Sequence, residues 1–296
     1  MEALSHCPVC DNDQFQLFKK IVDHFLTKEE FQVVQCNNCG FLFTNPRPAQ
    51  SEISRYYQSD EYISHNKNKV GWLSSVYNIV RNISLYRKYK LIAKHKTASK
   101  ILDIGCGTGD FLHFMKKKGW EVTGIEPADS PRGFALQNYN IDVFDEKELP
   151  HLPFGNFDVI TLWHVLEHVP DLNLLIKQIK NLLKSDGLLV VALPNHESWD
   201  AGHYQTFWAA WDVPRHFYHF SKKTFSLIIK NHQLKIISSH PMKFDAFYIS
   251  LLSEKYKHVK PGFIHALING MRSNQSAKQN LNNYSSLVFL IKHQNI

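Results

Sequence analysis

The chain has 296 residues, with 34 Lys and Arg against 27 Asp and Glu, a formal charge of +7, 44% hydrophobic and 21% charged residues. That length buries a sizeable core and suits one large domain with a small appendage, and a composition with only 13 glycines and 12 prolines excludes disorder on a large scale. No stretch approaches the roughly 18 consecutive apolar residues of a membrane helix, and the start, "MEALSHCPVC", lacks a basic region followed by an apolar one, so a soluble, cytoplasmic protein in a reducing compartment is expected.

From the amino end, Cys7-x2-Cys10 and Cys36-x2-Cys39 come first, with 25 residues between the pairs. A C-x2-C turn presents two thiolates on one side of a tight knuckle, and two knuckles complete a tetrahedral sulfur shell, so Cys7, Cys10, Cys36 and Cys39 are read as ligands of a structural zinc. A closed shell of four sulfurs leaves no position for water and should hold a fold together without doing chemistry. Disulfides would require an oxidising compartment. Gly40 follows the second pair, where a knuckle often needs a positive φ. The β-prone stretch before Cys36 supplies ribbon strands, and "NPRPAQ", 45–50, punctuates the chain, which places a zinc ribbon at 1–48.

Residues 49–97 are read as a basic helical linker packed on the core. Between 55 and 100, Arg55, Lys67, Lys69, Arg81, Arg87, Lys88, Lys90, Lys94, Lys96 and Lys100 face only Asp60 and Glu61. Trp72, Leu73, Val76, Ile79, Val80, Ile83 and Tyr86 recur at helical spacing, which predicts a basic amphipathic helix. Such a face attracts a phosphate-bearing substrate, RNA or an anionic membrane surface, or it is simply solvated. Both readings stay open.

The segment "KILDIGCGTGDFLHFMKKKGWEVTGIEP", 100–127, opens the main domain, 98–296. An apolar run ends in Gly105, Gly107 and Gly109, an amphipathic helix follows, and a second strand ends in Glu126. The glycines allow a ligand close to the backbone at a strand's carboxyl end, and Glu126 can accept both hydroxyls of a ribose. A dinucleotide fingerprint would place its third glycine at 110, where Asp stands, and no G-K-[ST] follows for a phosphate loop.

"DIGCGTG" resembles motif I of the class I S-adenosylmethionine-dependent methyltransferases. The ligand there carries a sulfonium, so acidic residues such as Asp103 and Glu126 make electrostatic sense. The resemblance implies a doubly wound, seven-stranded, Rossmann-like α/β sheet, with Asp103, Gly105, Cys106, Gly107, Gly109, Glu126 and Pro127 around the cofactor. It continues through "ELPHLPFGNFDVITLWHVLEHVPDL", 148–172, and implies Glu148 near the adenine and Trp163 and His164 near the methionine part.

Within that stretch His164, Glu167 and His168 spell H-x-x-E-H, also the spelling of an inverted zinc-peptidase motif. The peptidase needs the motif on a helix, whereas here it follows the buried strand "FDVITL" and precedes Pro170, so a strand and a short turn are expected. Glu167 and His168 either brace the helix that starts near Asp171 or belong to a site.

The strand "GLLVVALPN", 187–195, leads to an aromatic insertion, 196–220, whose Trp199, Trp208 and Trp211 form either a binding lid or a hydrophobic cluster under a loop. "VPRHFYHFS" resembles the corresponding part of sugar C-methyltransferases, which also carry a four-cysteine zinc module. There a His is a proposed base, and His216 matches it, although Arg215 stands where those enzymes have an acidic residue. A helix capped by Ser221, a sixth strand "KIISS", a helical insertion at 241–284 and a seventh strand "SSLVFLIKH" complete the fold.

The expected activity is methyl transfer from S-adenosylmethionine to a small-molecule or carrier-bound metabolite, with His216 as candidate base and His164 as a second candidate in the pocket. An RNA methyltransferase using ribbon and basic segment on phosphates, and a non-catalytic cofactor-binding adaptor, are the alternatives.

Overall fold

A computed structural model describes residues 1–57, 72–258, 262–280 and 283–294. Lys67 and Lys69 of the basic run, with Asp60 and Glu61, lie outside these residues. Two compact units divide the chain. One comprises Met1–Ser59, His164–Asn173 and Ala192–Leu290, the other Asp60–Trp163, Leu174–Val191 and Ile291–Ile296.

The first unit holds a four-stranded antiparallel sheet in the order β1 (Phe15–Val22), β2 (Glu30–Cys36), β3 (Leu42–Thr44) and β9 (Tyr218–His219). The β1–β2 connection is organised by the Asp23 carboxylate, which accepts from the N–H groups of Phe25, Leu26 and Thr27 at 3.1, 3.1 and 2.9 Å. This is the Asx-type turn that a short acidic side chain favours. The ribbon strands pack on the aromatic segment: Ile21, Phe31, Val33 and Leu42 share one cluster with Tyr56, Trp208 and Trp211. Trp208 and Trp211 are each 2% exposed, which makes these two core residues and not part of a lid. Trp199 instead stacks on His203 at 4.6 Å.

The same unit contains α5 (Trp199–Tyr204), α6 (Lys222–Asn231), α7 (Asp245–Lys257) and α8 (Phe263–Gln279). Helix α6 opens with a reciprocal capping box of Ser221 and Thr224, which satisfies backbone donors that the first turn leaves unpaired.

A seven-stranded sheet runs β10 (Leu234–Pro241), β11 (Ser286–His293), β8 (Leu183–Pro194), β7 (Phe157–Trp163), β4 (Lys100–Ile104), β5 (Glu121–Ile125), β6 (Val143–Phe144). Strand β4 lies between β5 and β7, parallel to both. The chain leaves β4 first to one side and then to the other, the arrangement that opens a crevice at the strands' carboxyl ends. Helix α1 (Trp72–Ala93) carries the basic run, α2 (Asp110–Lys117) buries Phe111, Leu112 and Met115, and α3 (Asp129–Tyr139) follows β5. In α4 (Leu172–Leu182), Leu172, Leu175, Ile176, Ile179 and Leu182 form one buried stripe. Strand β8 starts at Leu183, four residues before the start expected at Gly187. Leu183 lies over that glycine, where a Cβ would meet its Cγ at 2.6 Å.

Candidate functional site

At the carboxyl end of β4, Gly105, Gly107 and Gly109 take φ of 70°, 55° and 77°, a left-handed run that side chains with a Cβ resist. A Cβ on Gly107 would meet no atom within 4 Å, so the loop opens onto free space. Gly124 of β5 has none: a Cβ there would lie 2.7 Å from Cys106 Sγ, which fixes how close loop and strand approach.

Glu126, just past β5, accepts the Gly107 N–H at 3.0 Å through Oε2 and the Ala128 N–H at 3.1 Å through Oε1. Burial raises its carboxyl, against those two hydrogen bonds. Each oxygen keeps a lone pair for a ligand hydroxyl. Asp103, 2% exposed, accepts the Thr161 hydroxyl from β7, its cross-strand partner. Burial pushes its carboxyl up to about 7, against Thr161 and Lys88. The Cys106 thiol is likewise raised by burial and is no ready nucleophile.

Trp163 ends β7. Its ring meets Phe111 edge-on at 5.5 Å and carries Lys88 Nζ 4.1 Å from its centroid. Its Nε1 is buried with no hydrogen-bond partner among the described residues, a donor suited to a ligand oxygen. Arg81, also on α1, pairs with Asp110 at the start of α2, and Asp110 also accepts from Thr108 and Tyr139. Glu148 is exposed on the 3-10 turn Glu146–His151, and Pro127 is exposed beside Glu126. The loop glycines, Cys106, Asp103, Glu126 and Trp163 thus gather at the ends of three adjacent strands. Sequence reasoning missed Thr161, Lys88 and Arg81.

In the first unit, Cys7, Cys10, Cys36 and Cys39 bring their sulfurs within 4.8 Å of one another, with Cys7–Cys39 at 3.6 Å and Cys10–Cys36 at 3.5 Å. Four sulfurs bound tetrahedrally at about 2.3 Å would sit about 3.8 Å apart, so the set fits a zinc ion. Gly40 has φ 77° and donates to Cys36 O, as the knuckle requires.

The first unit also holds a histidine cluster. The H-x-x-E-H segment is a bend followed by a turn, not a helix, and His164 stands alone at φ 58°. Its ring is gripped by two carboxylates, Asp245 at 3.0 Å from Nε2 and Glu167 at 3.4 Å from Nδ1. Burial alone would lower its pKa; the two carboxylates overcome this and push it up to about 10. The two carboxylates thus favour the protonated ring of His164. Burial would raise Glu167, but His164 beside it holds the carboxyl below its usual range.

His216, 8% exposed, is bonded through Nδ1 to Ala210 O at 2.9 Å and lies edge-on to His168 at 4.5 Å between centroids. His168 is pinned through Nδ1 to Arg215 O and to the Tyr57 hydroxyl, both at 3.1 Å, and burial lowers its pKa to about 4. Arg215 is 2% exposed and ion-paired to Asp23 and Asp212 at 2.8 and 2.7 Å. The cation that replaces the expected acid is thus occupied in holding the loop that carries His216.

A family model described as a methyltransferase domain matches residues 80–239. The ubiquinone biosynthesis O-methyltransferase of Haemophilus ducreyi is 36% identical over 107 residues, 32% of this chain and 45% of that protein. That of Acinetobacter baumannii strain ACICU is 31% identical over 96 residues, 30% and 40% of the two chains. The chain thus spans less than half the length of these curated relatives. Among solved structures, magnesium protoporphyrin IX methyltransferase from Synechocystis PCC 6803 with bound SAH matches at TM-score 0.54 and 13% identity, over 81% of this chain and 98% of that one. The 1,6-didemethyltoxoflavin-N1-methyltransferase of Burkholderia thailandensis matches at 0.51 and 13%, over 88% and 99%. At this identity the likeness shows the fold.

Proposed function

The chain belongs to the class I S-adenosylmethionine-dependent methyltransferases, and on that footing we propose that it methylates a small-molecule or carrier-bound acceptor. The observation that carries this reading is the open glycine loop at the end of β4 with Glu126 clasped to its Gly107 N–H. The relatives named for ubiquinone biosynthesis support a small-molecule acceptor.

When bound, S-adenosylmethionine supplies a methyl already activated on a sulfonium. The residues therefore mainly hold reactants in line, worth about 7–11 kcal/mol in well-oriented reactions. Glu126 accepts the ribose hydroxyls, the glycines let the ligand lie on the backbone, and the Trp163 indole N–H and Asp103 serve its amino-acid end. Glu148, Pro127 and Cys106 complete the proposed binding set. If the acceptor must lose a proton, His216 is the group to take it: its Nδ1–H donates to Ala210 O, which leaves the lone pair on Nε2. His164, held between Asp245 and Glu167, is placed to bind or orient. Zinc on Cys7, Cys10, Cys36 and Cys39 would hold the ribbon and do no chemistry.

The test is methyl transfer from labelled cofactor to a cell extract. Label in protein-free small molecules is the expected result. Label in RNA would replace this reading with RNA methylation, and the absence of label despite cofactor binding would leave a binding adaptor.

A further inference from the structure

Two of the three groups in the cluster Glu167, His168 and His216, of which His168 is half-buried and the others buried, have no part in the function proposed above. One ligand atom from each lies within 4.8 Å of the others. Both imidazoles donate Nδ1–H to a backbone carbonyl, His168 to Arg215 O at 3.1 Å and His216 to Ala210 O at 2.9 Å. A carbonyl can only accept, so the Nδ1–H tautomer suits both rings, with the Tyr57 hydroxyl as a second neighbour of His168 Nδ1. It leaves each Nε2 with its lone pair, the orientation in which protein imidazoles are held for metals. Near both rings lies the Glu167 carboxylate, 0% exposed and with no hydrogen-bond partner on either oxygen among the described residues. His164 Nδ1 lies 3.4 Å from Oε1 and balances charge without hydrogen-bond geometry. A buried carboxylate whose oxygens lack hydrogen bonds costs several kcal/mol, and the His164 ring beside it supplies charge but bonds to neither oxygen. Asp212 Oδ2, 3.9 Å from His216 Nε2, is beyond hydrogen-bond reach and is already bound by Arg215.

We propose that Glu167, His168 and His216 form a second metal site, for a divalent transition ion, separate from the cysteine ribbon. Two imidazoles and one carboxylate suit zinc, manganese, iron(II) or cobalt(II), whereas magnesium and calcium prefer sets made of oxygen. Three protein ligands leave a coordination position open for a water or an oxygen ligand, as in catalytic centres and unlike the closed ribbon. The base role given to His216 above applies to the metal-free chain; with the ion bound its Nε2 is a ligand. The inference does not depend on the methyl-transfer reading, because binding alone decides it.

The experiment starts from full-length protein whose ribbon has been filled with one equivalent of zinc. Cobalt(II) is then titrated in, and bound metal is counted by mass spectrometry of the desalted protein. The expected result is one further equivalent of cobalt per chain, with visible d–d bands and no thiolate charge-transfer band. Glu167→Gln, His168→Gln and His216→Gln should each weaken this second binding at least tenfold while keeping the first equivalent of zinc. No cobalt beyond the ribbon in the wild-type chain, a second equivalent that shows thiolate charge transfer, or unchanged binding in all three variants overturns the proposal. The wild-type titration decides even where a variant fails to fold.

Discussion

Arg215 Nη2 donates to Asp23 Oδ1 at 2.8 Å, joining the turn after the first ribbon strand to the loop that carries His216. Side-chain exposure is 2% and 0% for the pair, and Arg215 also donates to Tyr56 O at 3.0 Å and to Asp212. Removing the cation strands two carboxylates that burial alone would raise. Breaking a buried pair from one side costs about 3–5 kcal/mol. Arg215→Met should lose that much in urea unfolding, and Arg215→Met combined with Asp23→Asn should lose less than the two single changes added together. A single-variant loss below ~1 kcal/mol would mean that water reaches the pair.

Glu126 ties the glycine loop at Gly107 to the start of α3 at Ala128 through its two backbone acceptances. Glu126→Gln keeps the shape but replaces one acceptor oxygen with a donor, which opposes both an N–H and a ribose hydroxyl. A hydrogen bond to a charged group is worth about 1.5–3 kcal/mol, so binding of S-adenosylhomocysteine should weaken roughly 10- to 100-fold, read by calorimetry. Unchanged affinity in a folded variant would remove Glu126 from the cofactor site.

Asp103 gives the cofactor-free protein a pH signature. Burial pushes its carboxyl up to about 7, well above the usual carboxylate range, so between those limits the folded chain keeps a proton that the unfolded chain has released. Stability attributable to this group is fully present below about pH 4 and is lost as pH rises through 7. The loss is on the order of a few kcal/mol, at about 1.4 kcal/mol per unit. Asp103→Asn, which cannot ionise, should flatten thermal stability across that window. The variant and the wild type falling in parallel would show that Asp103 is already ionised.

The parts legible in the sequence are those written in local spacing. The two C-x2-C knuckles, the glycines after an apolar run and the acid after the next strand each need only neighbouring residues to be read, and the fold gathers the four sulfurs and bonds Glu126 to the Gly107 N–H. What the sequence hides is set by contacts between distant segments. Asp23 and Arg215 are 192 positions apart, and nothing near Lys88 foretells its place over Trp163. The H-x-x-E-H spelling directs attention to His164 and His168 as a pair. The fold instead turns His164 to Asp245 and brings His216 to His168. Two of the tryptophans that suggest a lid are absorbed by the ribbon's need for an apolar partner, since a small sheet cannot close a core alone.

That need predicts how metal removal should spread. Cys36 ends β2, β2 pairs with β1 and β3, and β3 pairs with β9 through Leu42–His219 and Phe43–Tyr218. The Thr44 hydroxyl adds a bond to His216 O at 2.8 Å. Four thiolates left without a cation repel one another or take up protons, and either change loosens the knuckle that holds the carboxyl end of β2. Chelation of the ribbon ion should therefore raise hydrogen exchange not only over 15–44 but also over 216–219, while the β4 and β5 amides of the other unit stay protected. Cys36→Ser should reproduce the same pattern without chelator. Faster exchange confined to 1–48 would show that the ribbon opens as an independent module and leaves the His216 loop in place.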